Sequence, residues 1–255
     1  YIKRWVYAVN NIIIFRSTHD NGRAVLALFG STNAVDFVIQ NKAGGMVWVG
    51  IQGNPGHPHL EGGGFALNKG QTKTVKAPGN WQGRIWPRTW CDPKTKHCLT
   101  GDCGNKLQCN GAGGVPPATL AEITLKGAHG LDNYDISLVD GFNIPMAMWP
   151  VGGKSDGTKY SCKRASCDNN LNFSCPSNLR MNSKHGVIAC KSACLAYNTD
   201  AYCCKGIYND SKKCKASQYA NYFKSHCPMA YSYAYNDDKA LMTCTGVQKY
   251  MITFM

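Results

Sequence analysis

Short alternations of apolar and polar residues, each closed by glycine, proline or asparagine, set the grammar of this 255-residue chain. Val35-Asp-Phe-Val-Ile-Gln alternates in part, Met46-Val-Trp-Val is a brief apolar run, and the cluster Gly53-Asn-Pro-Gly-His-Pro then breaks the chain. Runs of this length at period two predict half-buried β-strands. Thr119-Leu-Ala-Glu-Ile-Thr-Leu says most: it sets Ala121, Ile123 and Leu125 on one face and Leu120, Glu122 and Thr124 on the other. Glu122 therefore points away from one apolar layer. After the turn Gly127-Ala-His-Gly, Tyr134-Asp-Ile-Ser-Leu-Val-Asp alternates again and stops at Asp140-Gly141, which predicts a hairpin with the preceding strand. That hairpin brings Glu122, Asp135 and Asp140 into one neighbourhood. Asp135 and Asp140 stand an odd number of residues apart, so a regular strand faces them oppositely and only the Asp140-Gly141 turn can re-aim one toward the other. Residues 160 to 227 change texture to cysteine, asparagine, serine and lysine, with a helix predicted over residues 187 to 197 that sets Cys190 and Cys194 on one face. Tyr231-Ser-Tyr-Ala-Tyr and Tyr250-Met-Ile-Thr-Phe return to strand pattern and close what reads as an all-β sandwich.

The cysteines sharpen this picture. All fourteen lie at or beyond position 91, an even number at high density, which fits disulfides kept in an oxidising compartment and places the chain outside the cell. No Cys-x-x-Cys occurs, so the usual zinc and thioredoxin-like spacings are absent, and neither a metal nor a cofactor is expected. Cys203 and Cys204 are adjacent and pair elsewhere, because neighbours rarely reach disulfide geometry with each other. The chain is long enough to bury a real core, which the cysteines supplement. No stretch holds the roughly 18 apolar residues of a membrane-spanning helix.

Charge adds a direction. The formal net charge is +13, which favours anionic surfaces such as phospholipid or phosphorylated wall polymers. Residues 154 to 215 carry eleven Lys or Arg against four Asp, whereas Glu122, Asp132, Asp135 and Asp140 face only Lys126 between residues 118 and 141. The protein is basic with one acidic island. Nucleic acid suits the net charge alone, but no recognised module is present and an extracellular disulfide protein seldom meets DNA, so no nucleic-acid partner is expected. Among the aromatics, Trp86, Trp90, Phe142, Trp149 and the Tyr231, Tyr233, Tyr235 stripe read as core before they read as sugar-stacking rings. Seven scattered histidines, with His57-Pro-His the one close pair, show no ligand pattern. Residues 1 to 34 read either as a short signal or leader, from Arg23 through an apolar run to Ser-Thr-Asn-Ala34, or as an upstream segment or core strand. Asn172-Phe-Ser and Asn209-Asp-Ser are glycosylation sequons.

From about Val35 to Met255 the chain resembles the thaumatin-like proteins, pathogenesis-related group 5 of plant defence. The matching segments are Gly83-Arg-Ile-Trp-Pro-Arg-Thr, Cys98-Leu-Thr-Gly-Asp-Cys-Gly, Pro116-Pro-Ala-Thr-Leu-Ala-Glu, Tyr134-Asp-Ile-Ser-Leu-Val-Asp-Gly-Phe-Asn-Ile-Pro-Met, Tyr202-Cys-Cys and Cys227-Pro-Met-Ala-Tyr-Ser-Tyr-Ala-Tyr-Asn-Asp-Asp. The resemblance implies a thaumatin-like β-sandwich over 35–90, 118–159 and 228–255, with two smaller disulfide-rich loop domains, a small one at 91–117 and a larger lobe at 160–227. It also implies seven bridges: Cys91 with Cys98, Cys103 with Cys109, Cys162 with Cys244, Cys167 with Cys227, Cys175 with Cys190, Cys194 with Cys203, and Cys204 with Cys214. Spacing alone leaves about 135,000 connectivities open. Members usually carry sixteen cysteines; here Ala43 and Met255 stand where the first and last would pair, so both partners of one bridge are missing together. Asn105, where a second glycine is usual, and Lys94 and Lys96, in a loop that commonly bears glycine, are smaller departures.

In this family an Arg, a Glu and three Asp line a cleft, and the matching positions are Arg84, Glu122, Asp135, Asp140 and Asp237. Glycoside hydrolysis needs one carboxylic acid to protonate the leaving oxygen and a second carboxylate as nucleophile or water activator. Crowded carboxylates raise one another's pKa and a guanidinium lowers it, so Arg84 beside Glu122 and Asp140 can keep one acid protonated and the other ionised. Glu122 is assigned as proton donor and Asp140 as the second carboxylate, with Arg84, Asp135 and Asp237 gripping substrate. Read apart from the family, Asp140-Gly141 is also an ordinary turn and Arg84 an ordinary strand-bridging cation. The resemblance thus implies a secreted, monomeric antifungal protein that binds and hydrolyses β-1,3-glucan as an endo-glucanase. The alternative is a non-catalytic cationic protein that docks on anionic walls or membranes and permeabilises them.

Overall fold

The computed structural model describes residues 34–236 and 240–255 in full and three further segments as backbone strands only. Those three, β1 (Arg4–Val9), β2 (Ile12–Thr18) and β3 (Ala24–Phe29), pair antiparallel in chain order as one sheet and form a unit of their own.

The second unit, Ala34–Met255, holds the sandwich. Its strands are β4 (Val35–Asn41), β5 (Val47–Gly53), β6 (Gly64–Leu67), β7 (Thr72–Ala77), β8 (Gln82–Cys91), β9 (Cys98–Thr100) and β10 (Leu120–Thr124). They continue as β11 (Asp132–Ser137), β12 (Met146–Val151), β13 (Ala165–Cys167), β14 (Arg180–Ser183), β15 (Gly186–Cys190), β16 (Met242–Cys244) and β17 (Lys249–Phe254). One sheet runs in the order β16-β11-β10-β8-β5-β6, with β9 also on β8, and the other in the order β13-β12-β17-β4-β7. The alternation predicted for the first of these strands is realised: Val35, Phe37 and Ile39 are buried while Asp36, Val38 and Gln40 are half-exposed. Phe37, Ile39, Ile51, Ile85, Ile123, Tyr134, Ile136 and Ile252 from both sheets share one core, and its largest rings meet edge to face, Phe37 on Trp81 at 5.4 Å and Tyr134 on Tyr250 at 5.2 Å. A parallel pair, β4 beside β17 in the register Asn41↔Phe254, sets the two ends of this unit side by side.

Three short helices, α1 (Ala193–Tyr197), α2 (Asp200–Cys203) and α3 (Gln218–His226), belong to the cysteine-dense stretch. Here the predicted helix over residues 187–197 is corrected. Its first part is strand β15, because Arg180 pairs with Cys190 and Phe142 exchanges both backbone hydrogen bonds with Cys190 at 2.8 Å. Helix begins only after Ser192, whose hydroxyl accepts the Leu195 N–H as an N-cap. Tyr231–Tyr235 is likewise no strand. Tyr231 makes one bridge to Ser137, and the chain then turns, with Asn236 Oδ1 accepting from the Ser232 N–H and hydroxyl.

All fourteen cysteines are paired, as Cys91–Cys98, Cys103–Cys109, Cys162–Cys244, Cys167–Cys227, Cys175–Cys190, Cys194–Cys203 and Cys204–Cys214. The loop from 91 to 109 is organised by two charges. Asp102 accepts the N–H groups of Cys98, Gly104 and Asn105. Arg88, fully buried, donates to the carbonyls of Val49, Lys106 and Leu107 and to Cys103 Sγ.

Candidate functional site

The site is built on one row of the larger sheet. Strand pairing sets Gln52 opposite Arg84, Arg84 opposite Glu122, and Glu122 opposite Asp135. Cross-strand partners point to the same face, so four side chains from β5, β8, β10 and β11 stand in line, about 5 Å from strand to strand. The opposite face of the same strands is occupied by Ile51, Ile85, Ile123 and Tyr134 in the core. Burying those four fixes the register, and a one-residue slip would drive the charged row into the hydrophobic layer.

Asp140 joins the row from a turn. β11 ends at Ser137, and the chain closes at Gly141, whose N–H reaches Leu138 O at 2.9 Å. Gly141 has φ 89°, and a Cβ there would lie 2.7 Å from Cys190 O, so the turn both requires glycine and packs against the cysteine-dense stretch. This turn, not the strand, aims Asp140 at Arg84, with Nη1 and Oδ2 4.0 Å apart. The cleft so formed is lined by Arg84, Glu122, Asp135, Asp140, Tyr231 and Leu241 among others and holds about 440 Å³. Asp237, the fifth family position, lies outside the described residues.

The acids are not equivalent. Burial is the largest influence on Glu122 and pushes its carboxyl up; Asp140 pushes it further, while Arg84 and a hydrogen bond from Ser137 pull it back without cancelling the rise. Arg84 is itself held. Its Nε donates to Gln52 Oε1 at 2.9 Å, and Gln52 Nε2 donates to Gly111 O at 2.7 Å, so the guanidinium is tied to the small cysteine loop. At Gly113 a Cβ would come within 3.0 Å of Arg84 Nη2, and at Gly114 within 2.5 Å of the Trp86 indole nitrogen; the bare backbone there lets this loop lie on the row.

Residues 41–255 match the sequence model of the Thaumatin family. The chain belongs to the thaumatin family. Pathogenesis-related protein 5 of Arabidopsis thaliana is 46% identical over 224 residues, covering 87% of this chain and 90% of that protein. Thaumatin-like protein 1a of Malus domestica is 43% identical over 234 residues, covering 90% and 93%. Among solved structures, a family 64 laminaripentaose-producing β-1,3-glucanase of Paenibacillus barengoltzii superposes with a TM-score of 0.54 at 12% identity, over 95% of this chain and 84% of that one. At that identity the likeness concerns the fold.

In this thaumatin-family cleft Arg84, Glu122, Asp135 and Asp140 lie together, as does Tyr231 from the predicted stripe. The other aromatics divide. Trp86 and Phe142 are fully buried, whereas Trp90 is 48% exposed and stacked at 4.0 Å on His185. Sequence reasoning missed Gln52, Ser137 and Leu241. Gln52 and Ser137 are brought to the row and the cleft by strand pairing, Leu241 lies just before β16, and no local motif announces any of them.

Proposed function

We propose that this chain is a secreted defence protein of the thaumatin family that takes β-1,3-glucan into the acidic cleft and hydrolyses it, with Glu122 as proton donor and Asp140 as the second carboxylate. The observation that carries the reading is the gathering of Glu122 and Asp140 about one guanidinium, with Glu122 raised by burial and by Asp140 so that it holds its proton where an ordinary carboxylate has ionised. Glycosidic cleavage needs a proton donor and a second carboxylate, and Asp140, across Arg84 at 4.0 Å, takes the second place. Asp135 and Tyr231, which line the same cleft, would contact the sugar beside them. A family 64 β-1,3-glucanase of similar fold was crystallised in complex with laminarihexaose, which supports a glucan as ligand. No step requires a metal or cofactor.

The test is the release of reducing ends from a linear β-1,3-glucan by wild type and by Glu122→Gln. The substitution keeps size and hydrogen bonding but removes the proton, so hydrolysis falls by about 100-fold or more while the glucan still binds. Hydrolysis that survives the substitution removes Glu122 from the role.

A second reading is favoured by one observation, the cationic surface. Residues 160–227 carry ten Lys or Arg against three Asp and no Glu, and Arg164–Asp168 is the ion pair formed there among the described residues. Such a surface docks on anionic walls or membranes, and that binding weakens with salt, whereas a neutral glucan in the cleft is indifferent to it.

A further inference from the structure

The cysteine-dense stretch presents an aromatic strip whose placement is covalent. The Cys194–Cys203 bridge ties α1 to α2, and Tyr197 and Tyr202 on these helices lie 5.4 Å apart, centroid to centroid. Tyr219, at the start of α3, completes a trio, 5.4 Å from Tyr197 and 6.0 Å from Tyr202. The hydroxyls of Tyr197 and Tyr219 are 2.7 Å apart, and Asn178 Nδ2 donates to both, so the rings are locked by their polar ends. The strip continues along α3, where Tyr222 and His226 follow Tyr219 at i+3 and i+7 on one helix face, their rings 4.4 Å apart and tilted by 44°. Tyr197 is 38% exposed, and Tyr202, Tyr219, Tyr222 and His226 are half-exposed.

Fixed aromatic rings are a poor way to cover a protein and a good way to hold a flat ligand. Tyrosine brings a large contact area at small entropic cost, and its negative ring face attracts the weakly positive C–H edges of a pyranose. The cations are placed by the next bridge. Cys204–Cys214 closes directly after α2 and holds Lys205, Lys213 and Lys215, all exposed, in the short loop that follows Tyr202, with Lys215 Nζ donating to Ser211 O at 3.2 Å. No ion pair among the described residues engages them. Two acids share this neighbourhood, Asp200 and Asp210, and Asp210 is turned onto the Lys212 N–H.

We infer that this strip binds a linear anionic polysaccharide of the polyuronate type, the rings stacking on successive sugars and the lysines pairing with carboxylates. This rests on the cationic-docking reading and gives it a ligand class and a surface, separate from the cleft. Single-stranded nucleic acid also suits rings and lysines, but the disulfide framework points to an extracellular ligand.

The experiment is calorimetric titration of the full chain with an oligogalacturonate, with a uridine oligonucleotide and phosphatidylserine vesicles as competing probes. Wild type is expected to bind the oligogalacturonate, and Tyr197→Ala with Tyr219→Ala to weaken it roughly tenfold or more. Tyr197→Phe with Tyr219→Phe keeps the rings and stays within about threefold, which separates stacking from any loosening of the stretch. Glu122→Gln binds as wild type does. If no anionic probe binds wild type, the docking reading itself fails. If oligogalacturonate binds but the alanine pair leaves it unchanged, the strip is the wrong surface. Tighter binding of oligonucleotide or vesicles overturns the ligand class.

Discussion

At the scale of single residues, the cleft trades stability for chemistry. Burial and Asp140 raise the Glu122 carboxyl, so the folded state holds its proton more tightly than the unfolded chain does. A group with a raised folded pKa contributes stability below its unfolded value and loses it as pH rises through the folded one. Glu122→Gln should therefore raise the thermal midpoint near pH 7 and change it little near pH 3, where both states are protonated. Activity follows the same proton: kcat/KM falls as pH rises through the raised pKa. Arg84 opposes the rise, so Arg84→Met moves that alkaline limb upward. A limb that stays in place, or moves toward acid, removes the coupling. The face of Glu122 was legible in its strand, because apolar neighbours at i±1 pointed the other way. The aim of Asp140 was not, since period two faced it away from Asp135 and only the turn at Gly141 reverses that. The sequons also part at this scale. The Asn172 amide nitrogen donates to Asn143 O at 2.9 Å, while Asn209 stands exposed.

At the scale of elements, long alternating runs were legible and cysteine-rich segments were not. The hairpin of β10 and β11 forms as the pattern implied, and its register sets Glu122 opposite Asp135. Residues 187–197 misled because an apolar run fits strand and helix alike, and the decision came from a distant partner, Phe142. The small loop shows how a departure from family composition is absorbed: Lys96 and Asn105 both sit at positive φ, 63° and 57°, where glycine is easiest. Asn105 is supported there by Asp102 and by His97 Nδ1 at 2.8 Å. Beneath this loop Arg88 is buried without a direct carboxylate partner; burial lowers its pKa to about 10, and Asp102 offsets part of that. Its hydrogen bonds to three carbonyls join β8 to the loop and to β5. Arg88→Met fills the space but abandons those acceptors, so it should cost about 3 kcal/mol in denaturant unfolding. Asp102 has the opposite linkage. Its carboxyl is held low by three backbone N–H groups, which outweigh its burial. The stability it contributes is present above the ordinary carboxylate range and is lost as pH falls through the folded value. The protection of the Gly104 and Asn105 amides from exchange, relative to their intrinsic rates, should therefore fall selectively in acid, and Asp102→Asn should remove that pH dependence.

For the molecule as a whole, the pairing of fourteen cysteines was beyond reach of the residues alone and came from family resemblance. Physics enters in what each bridge does to the unfolded chain. Cys162–Cys244 spans 82 residues and Cys204–Cys214 spans 10, so loop-closure entropy assigns them about 4.5 and 2.7 kcal/mol. The missing bridge would have closed the longest loop of all. Ala43 follows β4 and Met255 follows β17, and these strands run parallel and hydrogen-bonded, with Lys42 N–H donating to Phe254 O at 2.8 Å. In this chain that pairing and the shared core hold the two ends without sulfur. Ala43→Cys with Met255→Cys should restore the bond across a loop of about 200 residues, for which the same treatment gives roughly 5 kcal/mol as an upper bound. The expected outcome is an oxidised double variant with no free thiol by mass, a higher unfolding midpoint, and a gain abolished by mild reduction. Two thiols that remain free under oxidising conditions would mean that the ends of β4 and β17 diverge in solution. The strand pair would then be too weak to replace the bond that the family usually carries.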